Sequence, residues 1–385
     1  MKFLLYIFRN VIRNKLRSLL TVLAIWICMA LMTFLYGFLE SQKVWSKEAE
    51  KHNRVVVMNI QGFAAPLTVR MLDDVRDTKE VVSATPYSWF GGLYLNEPFS
   101  FAQFGVDPET VFDVWNDFDI PADQLAAFKD KSNRQACVCD RKLAEKYGWT
   151  VGEHIRLKGA IYNVDLDLTL TGIFDPPQEV LSLWYKLEYL DEELKRKESS
   201  LQGNVGIIYL RAKSAGAVPE LMTRIDDHFS NSEHPTKTQT EGAFAQMFVK
   251  MLGNVQNFIL FIGVFVTASL TLVAANAMAM SMRERTMEIA VLKAIGFRSE
   301  VVLAMLLGEA IIIATVGGLF GVGLGRVLYS MAHNTATQFF PLDSMPWPVM
   351  VYGLLVSAGI GFGSGIVPAV MAARMSVVDG LRRVV

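Results

Sequence analysis

Residues 251–282 carry no charged side chain, a run longer than the roughly 20 apolar residues a helix needs to cross a bilayer. Directly after it come Arg283-Glu284-Arg285-Thr286-Met287-Glu288-Ile289 and then Lys293-Ala294-Ile295-Gly296, before another apolar stretch begins. Glu284 and Glu288 are spaced one helical turn apart, as are Ile289 and Lys293, and Gly296 suits the left-handed cap that stops a helix. A compact charged elbow between two membrane spans is a docking surface for a soluble partner, or else a solvated loop that only obeys the rule that basic residues stay inside.

Four spans are predicted, over 18–39 (TM1), 253–282 (TM2), 301–331 (TM3) and 347–373 (TM4). Lys and Arg cluster before the first span, between the second and third, and after the fourth. The short 332–343 segment has none. With four spans these basic segments fall on one side, so both termini are expected in the cytoplasm and residues 40–252 outside. That outer block holds 24 basic and 32 acidic residues, a net of −8, against +7 for the rest. The first apolar run continues into Gly37-Phe38-Leu39-Glu40 without a small-x-small cleavage site, so it reads as an uncleaved anchor.

Residues 1–17 read as a cytoplasmic helix lying on membrane lipid, with Phe3, Leu4, Ile7, Phe8, Val11 and Ile12 on one stripe and basic residues opposite. Residues 40–52 and 240–254 are good helix formers and are expected to extend the first two spans outward as stalks. Between them strand and helix signals alternate. Strands are expected at 55–60, 81–85, 155–158, 163–174 and 205–211, and helices at 68–77, 141–147, 180–198 and 218–229, with Trp184, Leu187, Leu190 and Leu194 on one face of the third. The fold class is therefore membrane α-helical, four transmembrane helices with an α+β extracytoplasmic domain between the first two. The domain division is 1–17, 18–39, 40–252, 253–282, a coupling helix at 283–300, 301–331, a short outer loop at 332–346, 347–373, and a cytoplasmic tail at 374–385.

Most chemistry is excluded by what these residues lack. No GxxxxGK[ST] phosphate loop occurs, so this chain is read as something other than the ATPase of an energy-using complex. No nucleophile triad or paired-carboxylate pattern stands out in the outer block, Cys137 and Cys139 have no histidine at metal-ligand spacing, and no nucleic-acid partner is indicated. The intramembrane polar residues are Glu309 and Arg326. They lie about 25 Å apart along one helix, too far to pair, so Glu309 is expected to be satisfied by a neighbouring helix and Arg326 to snorkel outward. Gly317, Gly321 and Gly325, with Gly359 and Gly363, repeat at the spacing that lets helix backbones approach, either within one subunit or across a dimer seam; Gly361 and Gly365 are interleaved.

The elbow residues resemble the cytoplasmic coupling segment of the FtsX/MacB-type ABC transporter permeases. Further similarity lies in Arg9-Asn10 with Arg13-Asn14-Lys15-Leu16-Arg17-Ser18, in Gly308-Glu309-Ala310 with Gly317-Gly318, and in Pro368-Ala369 with Ala372-Ala373-Arg374 and Leu381-Arg382. The resemblance implies a single-FtsX-domain permease with a MacB-like periplasmic core domain, a non-catalytic multi-pass subunit of the bacterial inner membrane. It implies a homodimer or heterodimer of permeases and a separate ABC ATPase that binds ATP and Mg, this chain holding no cofactor. Arg283, Glu284, Arg285, Glu288, Ile289, Lys293 and Gly296 would form the ATPase-coupling site. ATP-driven motion would then move the outer domains by mechanotransmission, exporting or extracting a substrate with the help of an extracytoplasmic adaptor or outer-membrane duct. Two other readings stay open: a regulator that activates an outer partner such as a cell-wall hydrolase, and a transporter or channel that needs no ATPase.

Overall fold

The computed structural model describes residues 15–62, 65–98, 100–177, 181–251, 255–336 and 345–378. The expected interfacial helix before residue 15, most of the 332–346 loop and the end of the tail lie outside the described residues. The chain divides into two units: Met1–Ser41, Gly253–His333 and Ser344–Val385 form one, and Gln42–Leu252 with Asn334–Asp343 the other. Helix α1 (Lys15–Glu50) belongs to both, changing unit after Ser41.

The second unit is α+β. Its elements run β1 (Arg54–Asn59), β2 (Leu67–Thr68), α2 (Val69–Arg76), β3 (Val81–Trp89), β4 (Ala102–Val106), α3 (Val111–Val114), α4 (Ala122–Lys129), β5 (Ala136–Asp140) and α5 (Arg141–Tyr147). They continue with β6 (His154–Leu157), β7 (Leu166–Phe174), β8 (Ser182–Lys186), α6 (Leu187–Arg196), β9 (Asn204–Val205), β10 (Ile207–Ala212), α7 (Val218–Phe229), β11 (Thr236–Thr240) and α8 (Glu241–Met251). Nine strands form one mixed sheet in the order β11-β1-β10-β3-β4-β8-β5-β7-β6. Among the described residues only β4–β8 and β5–β7 pair in parallel.

Both faces of this sheet are covered, which explains why β1, β5 and β8 are buried at every position. Side chains alternate across a strand, so Val55 and Val57 enter one hydrophobic cluster while Val56 and Met58 enter the other. In β5, Cys137 and Cys139 share the first cluster and Ala136 and Val138 the second. Burial pushes both thiols up, which fits packing residues rather than nucleophiles.

The segment expected as one helix over 180–198 is a strand followed by a helix. Ser182–Lys186 pairs with β4 on one side and β5 on the other, and Leu183 and Tyr185 face one core while Trp184 faces the other. Sheet pairing overrides the helical spacing here. The α-helix starts only at Leu187, and its Leu187, Leu190 and Leu194 do share a buried side.

Both chain connections of this unit meet at one ion cluster. Arg54, the first residue of β1, donates from Nε to Glu241 Oε2 and from Nη1 to Asp117 Oδ1, each at 2.5 Å. Glu241 is the first residue of α8. Burial alone would lower the Arg54 guanidinium, and the two carboxylates more than reverse it; burial raises Glu241, with Arg54 opposing. Nearby, Gln246 Nε2 on α8 donates to Ser46 Oγ on α1 at 2.9 Å.

The first unit holds α9 (Val255–Glu284), α10 (Thr286–Ala294), α11 (Ser299–Ala336) as far as His333, and α12 (Trp347–Arg374), with the first part of α1. Helices α1, α9, α11 and α12 are each long and apolar enough to cross a membrane. The glycines set how they pack. A Cβ at Gly317 would lie 3.0 Å from Val22 O, at Gly321 2.8 Å from Trp26 O, and at Gly325 2.8 Å from Ala30 O. These three therefore let α11 lie backbone to backbone on α1 of the same chain. On α12 the interleaved pair does this: Gly361 faces Ala310, Ile311 and Ala314, and Gly365 faces Ala310 and Leu307. Gly363 meets only Thr271, and Gly359 looks into open space.

Candidate functional site

Between α9 and α11 the chain does not continue as one helix. Helix α9 ends at Glu284, and Arg285, with φ −105° and ψ 17°, caps α10. Glu284 and Glu288 are thus on different helices rather than one turn apart on a shared face. The far end of α10 closes as a Schellman motif: Gly296 takes φ +97°, its N–H bonds Lys293 O at 3.1 Å, and the N–H of Phe297 bonds Leu292 O at 3.1 Å. This pattern satisfies carbonyls that the helix end leaves open. Alanine at Gly296 has room but the wrong backbone conformation, so Gly296→Ala is expected to cost about 1–2 kcal/mol locally, read as faster amide exchange at residues 292–297.

The elbow residues fall into two groups. Arg283 and Glu284 are exposed at the end of α9, and Gly296 is exposed at the end of α10. Glu288 is half-buried. Arg285, Ile289 and Lys293, expected on the docking surface, turn toward the chain's own interior instead. Ile289 is 3% exposed and clusters with Met278, Met282, Val302, Leu306 and Ala369, and Ala290 is fully buried. Arg285 Nη1 donates to both carboxylate oxygens of Glu309, at 2.9 and 3.2 Å. Lys293 Nζ donates to Ala373 O at 2.8 Å and Met375 O at 2.6 Å. What this short helix and its cap present outward is apolar: Met287 and Val291 on α10 and Ile295 at its C-cap, one turn apart in succession, are all exposed.

Glu309 therefore has the partner that an acidic residue inside an apolar helix requires, and it comes from the elbow. Arg326 is exposed, with Nη1 3.5 Å from Met350 Sδ. The Arg285–Glu309 pair was missed by reading the sequence, which expected Glu309 to be satisfied by a neighbouring helix without naming the residue. The apolar stripe of Met287, Val291 and Ile295 was missed because the charged residues around it dominate the pattern.

Four candidate spans, a charged turn mounted on two of them and a separate α+β unit define a multi-pass membrane protein. A MacB-like periplasmic core domain matches residues 18–228, and an FtsX-like permease C-terminal domain matches residues 259–377. The chain belongs to the FtsX/MacB-type ABC transporter permeases. It is 26% identical to the macrolide export ATP-binding/permease protein MacB of Neisseria gonorrhoeae, over 96% of this chain and 59% of that protein. It thus spans somewhat over half the length of that relative. An uncharacterized ABC transporter permease of Methanocaldococcus jannaschii is 23% identical, with 98% of this chain and 96% of the other covered. The solved periplasmic region of MacB from Actinobacillus actinomycetemcomitans aligns with 51% of this chain and 92% of its own, at 16% identity and a TM-score of 0.37.

Proposed function

We propose that this chain is the transmembrane subunit of an ABC export or extraction complex of the bacterial inner membrane. An ATPase on a separate chain docks against the elbow, with both termini of this chain on the same cytoplasmic side. The observation that carries the proposal is the elbow's construction: an outward apolar stripe of Met287, Val291 and Ile295, rimmed by Arg283 and Glu284, on a short helix whose other side is fixed to the spans. A rigid apolar ridge with a charged rim has the composition of a protein interface. Family membership supplies the partner's class, and the relative named as an ATP-binding/permease protein combines the two roles in one polypeptide.

In this reading the ATPase stays on the cytoplasmic side and ATP hydrolysis moves the elbow. The spans act as a lever, and the MacB-like domain passes the motion to a substrate outside the membrane. Gly359, with nothing within 4 Å among the described residues, marks the face of α12 on which a second permease copy would pack. The test is purification of the tagged full chain from native membranes. An ABC ATPase is expected to co-purify, and Met287→Asp combined with Ile295→Asp is expected to reduce its recovery about tenfold, since two desolvated apolar anchors each contribute on the order of 1 kcal/mol or more. Unchanged recovery from the double variant, in a chain that remains folded, would remove the elbow from the interface.

A further inference from the structure

The elbow is fixed to the third and fourth spans at three points, and each fixture uses a different interaction. At its N-terminal end Arg285 reaches Glu309, the eleventh residue of α11, about 15 Å along that helix from Ser299. The side chains are 12% and 6% exposed. A carboxylate in such a place is costly unless paired. In the middle, Ile289 sits among residues of α9, α11 and α12. At the C-terminal end the Lys293 ammonium holds the carbonyl of Ala373, in the last turn of α12, and that of Met375 just beyond it. Those carbonyls lack helical partners, and the negative end of the helix dipole favours a cation there.

Without these ties the elbow would join α9 only through the non-helical Arg285. With them it cannot tilt without dragging α11 and α12. The stripe of Gly317, Gly321 and Gly325 then places α11 directly on the backbone of α1 at Val22, Trp26 and Ala30, and α1 runs unbroken to Glu50. We propose that Arg285 and Lys293 are positioning residues rather than ATPase contacts. They clamp the elbow to the third and fourth spans, so that a push on it travels through α11 to α1 instead of being absorbed at the α9–α10 turn. This rests on the docking function proposed above, but the clamp itself is a property of the chain alone.

The test uses the full chain with whatever ATPase co-purifies, and compares wild type with Arg285→Gln, Arg285→Lys, Glu309→Gln and Lys293→Met. Co-purification reads docking, amide exchange over residues 286–296 reads the clamp, and the change in exchange over residues 18–41 on adding Mg-ATP reads transmission. Exchange over residues 54–59 and 207–212 confirms that the α+β unit is folded in every variant. Arg285→Gln, Glu309→Gln and Lys293→Met are expected to keep the ATPase within about twofold of wild type and to exchange about tenfold or more faster in the elbow. They should also lose the Mg-ATP response in α1. Because one guanidinium nitrogen serves both Glu309 oxygens, Arg285→Lys should restore protection and response together. Wild-type elbow protection in Arg285→Gln and Lys293→Met would overturn the clamp, and a retained Mg-ATP response in them would overturn the transmission route. If wild type brings no ATPase, the docking function fails while elbow protection still decides the clamp.

Discussion

Arg54→Met is expected to destabilise the α+β unit by about 3–5 kcal/mol, the cost of leaving a buried ion cluster without its cation. Arg54 is 6% exposed and is the only basic side chain that the structure places within 2.5 Å of both Glu241 and Asp117 among the described residues. Methionine keeps the stem's packing, so the effect isolates the charge. Glu241 is already pushed up by burial against the pull of Arg54. Removing that pull leaves Glu241 and Asp117, whose charges oppose one another, with His52 Nε2 3.6 Å from Asp117 Oδ2 as the remaining basic group beside them. The strain falls where both connections of the unit begin, at the start of β1 and the start of α8. Thermal unfolding of the full chain in detergent, followed by near-UV dichroism of the Tyr87, Trp115, Trp184 and Tyr209 cluster, measures it. Adding Glu241→Gln and Asp117→Asn to Arg54→Met should recover most of the loss, because neutral partners no longer need the cation. A loss below about 1 kcal/mol in the single variant, the range of exposed pairs, would show that the cluster is solvated.

Gly321→Ala is expected to cost about 1–3 kcal/mol or more in the membrane unit, from adding a single methyl group. The new Cβ would lie 2.6 Å from Met29 Cβ, 2.8 Å from Trp26 O and 3.2 Å from Ala30 N. Two of these atoms are backbone and the third is fixed to it, so no rotamer change relieves the contact. The helices must separate, which also strains the bond from Trp26 Nε1 to Phe320 O at 3.0 Å. Gly323→Ala, on the same helix, is the matched control, since nothing among the described residues lies within 4 Å of that position. The two variants are compared by melting temperature in detergent and by the fraction that survives heating as a folded peak on size exclusion. Gly321→Ala should melt lower than wild type and Gly323→Ala should match it. Equal melting of both would mean that α11 and α1 are not in backbone contact.

Much of this was legible in the sequence, and the exceptions have a common cause. The apolar runs mark the four long helices because a membrane span is a local property of composition. The helix at 141–147 was readable from its local pattern, and the structure shows it closed at both ends, by Asp140 accepting from Leu143 N and by Gly148 in the left-handed conformation. Ser182–Lys186 was read wrongly because its identity as a strand depends on β4 and β5, distant in sequence. The glycine spacing showed close approach but not against what, so Gly317, Gly321 and Gly325 could not be assigned to α1 beforehand. The elbow shows the same limit most sharply. Charge pattern drew attention to Arg285 and Lys293, yet their partners, Glu309 and the Ala373 and Met375 carbonyls, lie on helices that only the fold brings near. The exposed residues of that helix are the ones its pattern left unremarked.

The most direct measurement places a photo-crosslinking amino acid at Met287, Val291, Ile295 or Ile289, one at a time, in cells expressing the full chain. The expected result is a covalent adduct with an ABC ATPase from the first three positions and none from Ile289, which is buried against Met282 and Leu306 in its own chain. Absence of an ATPase adduct at all three outward positions, or an equal yield from Ile289, would contradict the elbow's role as the point where ATP hydrolysis enters this protein.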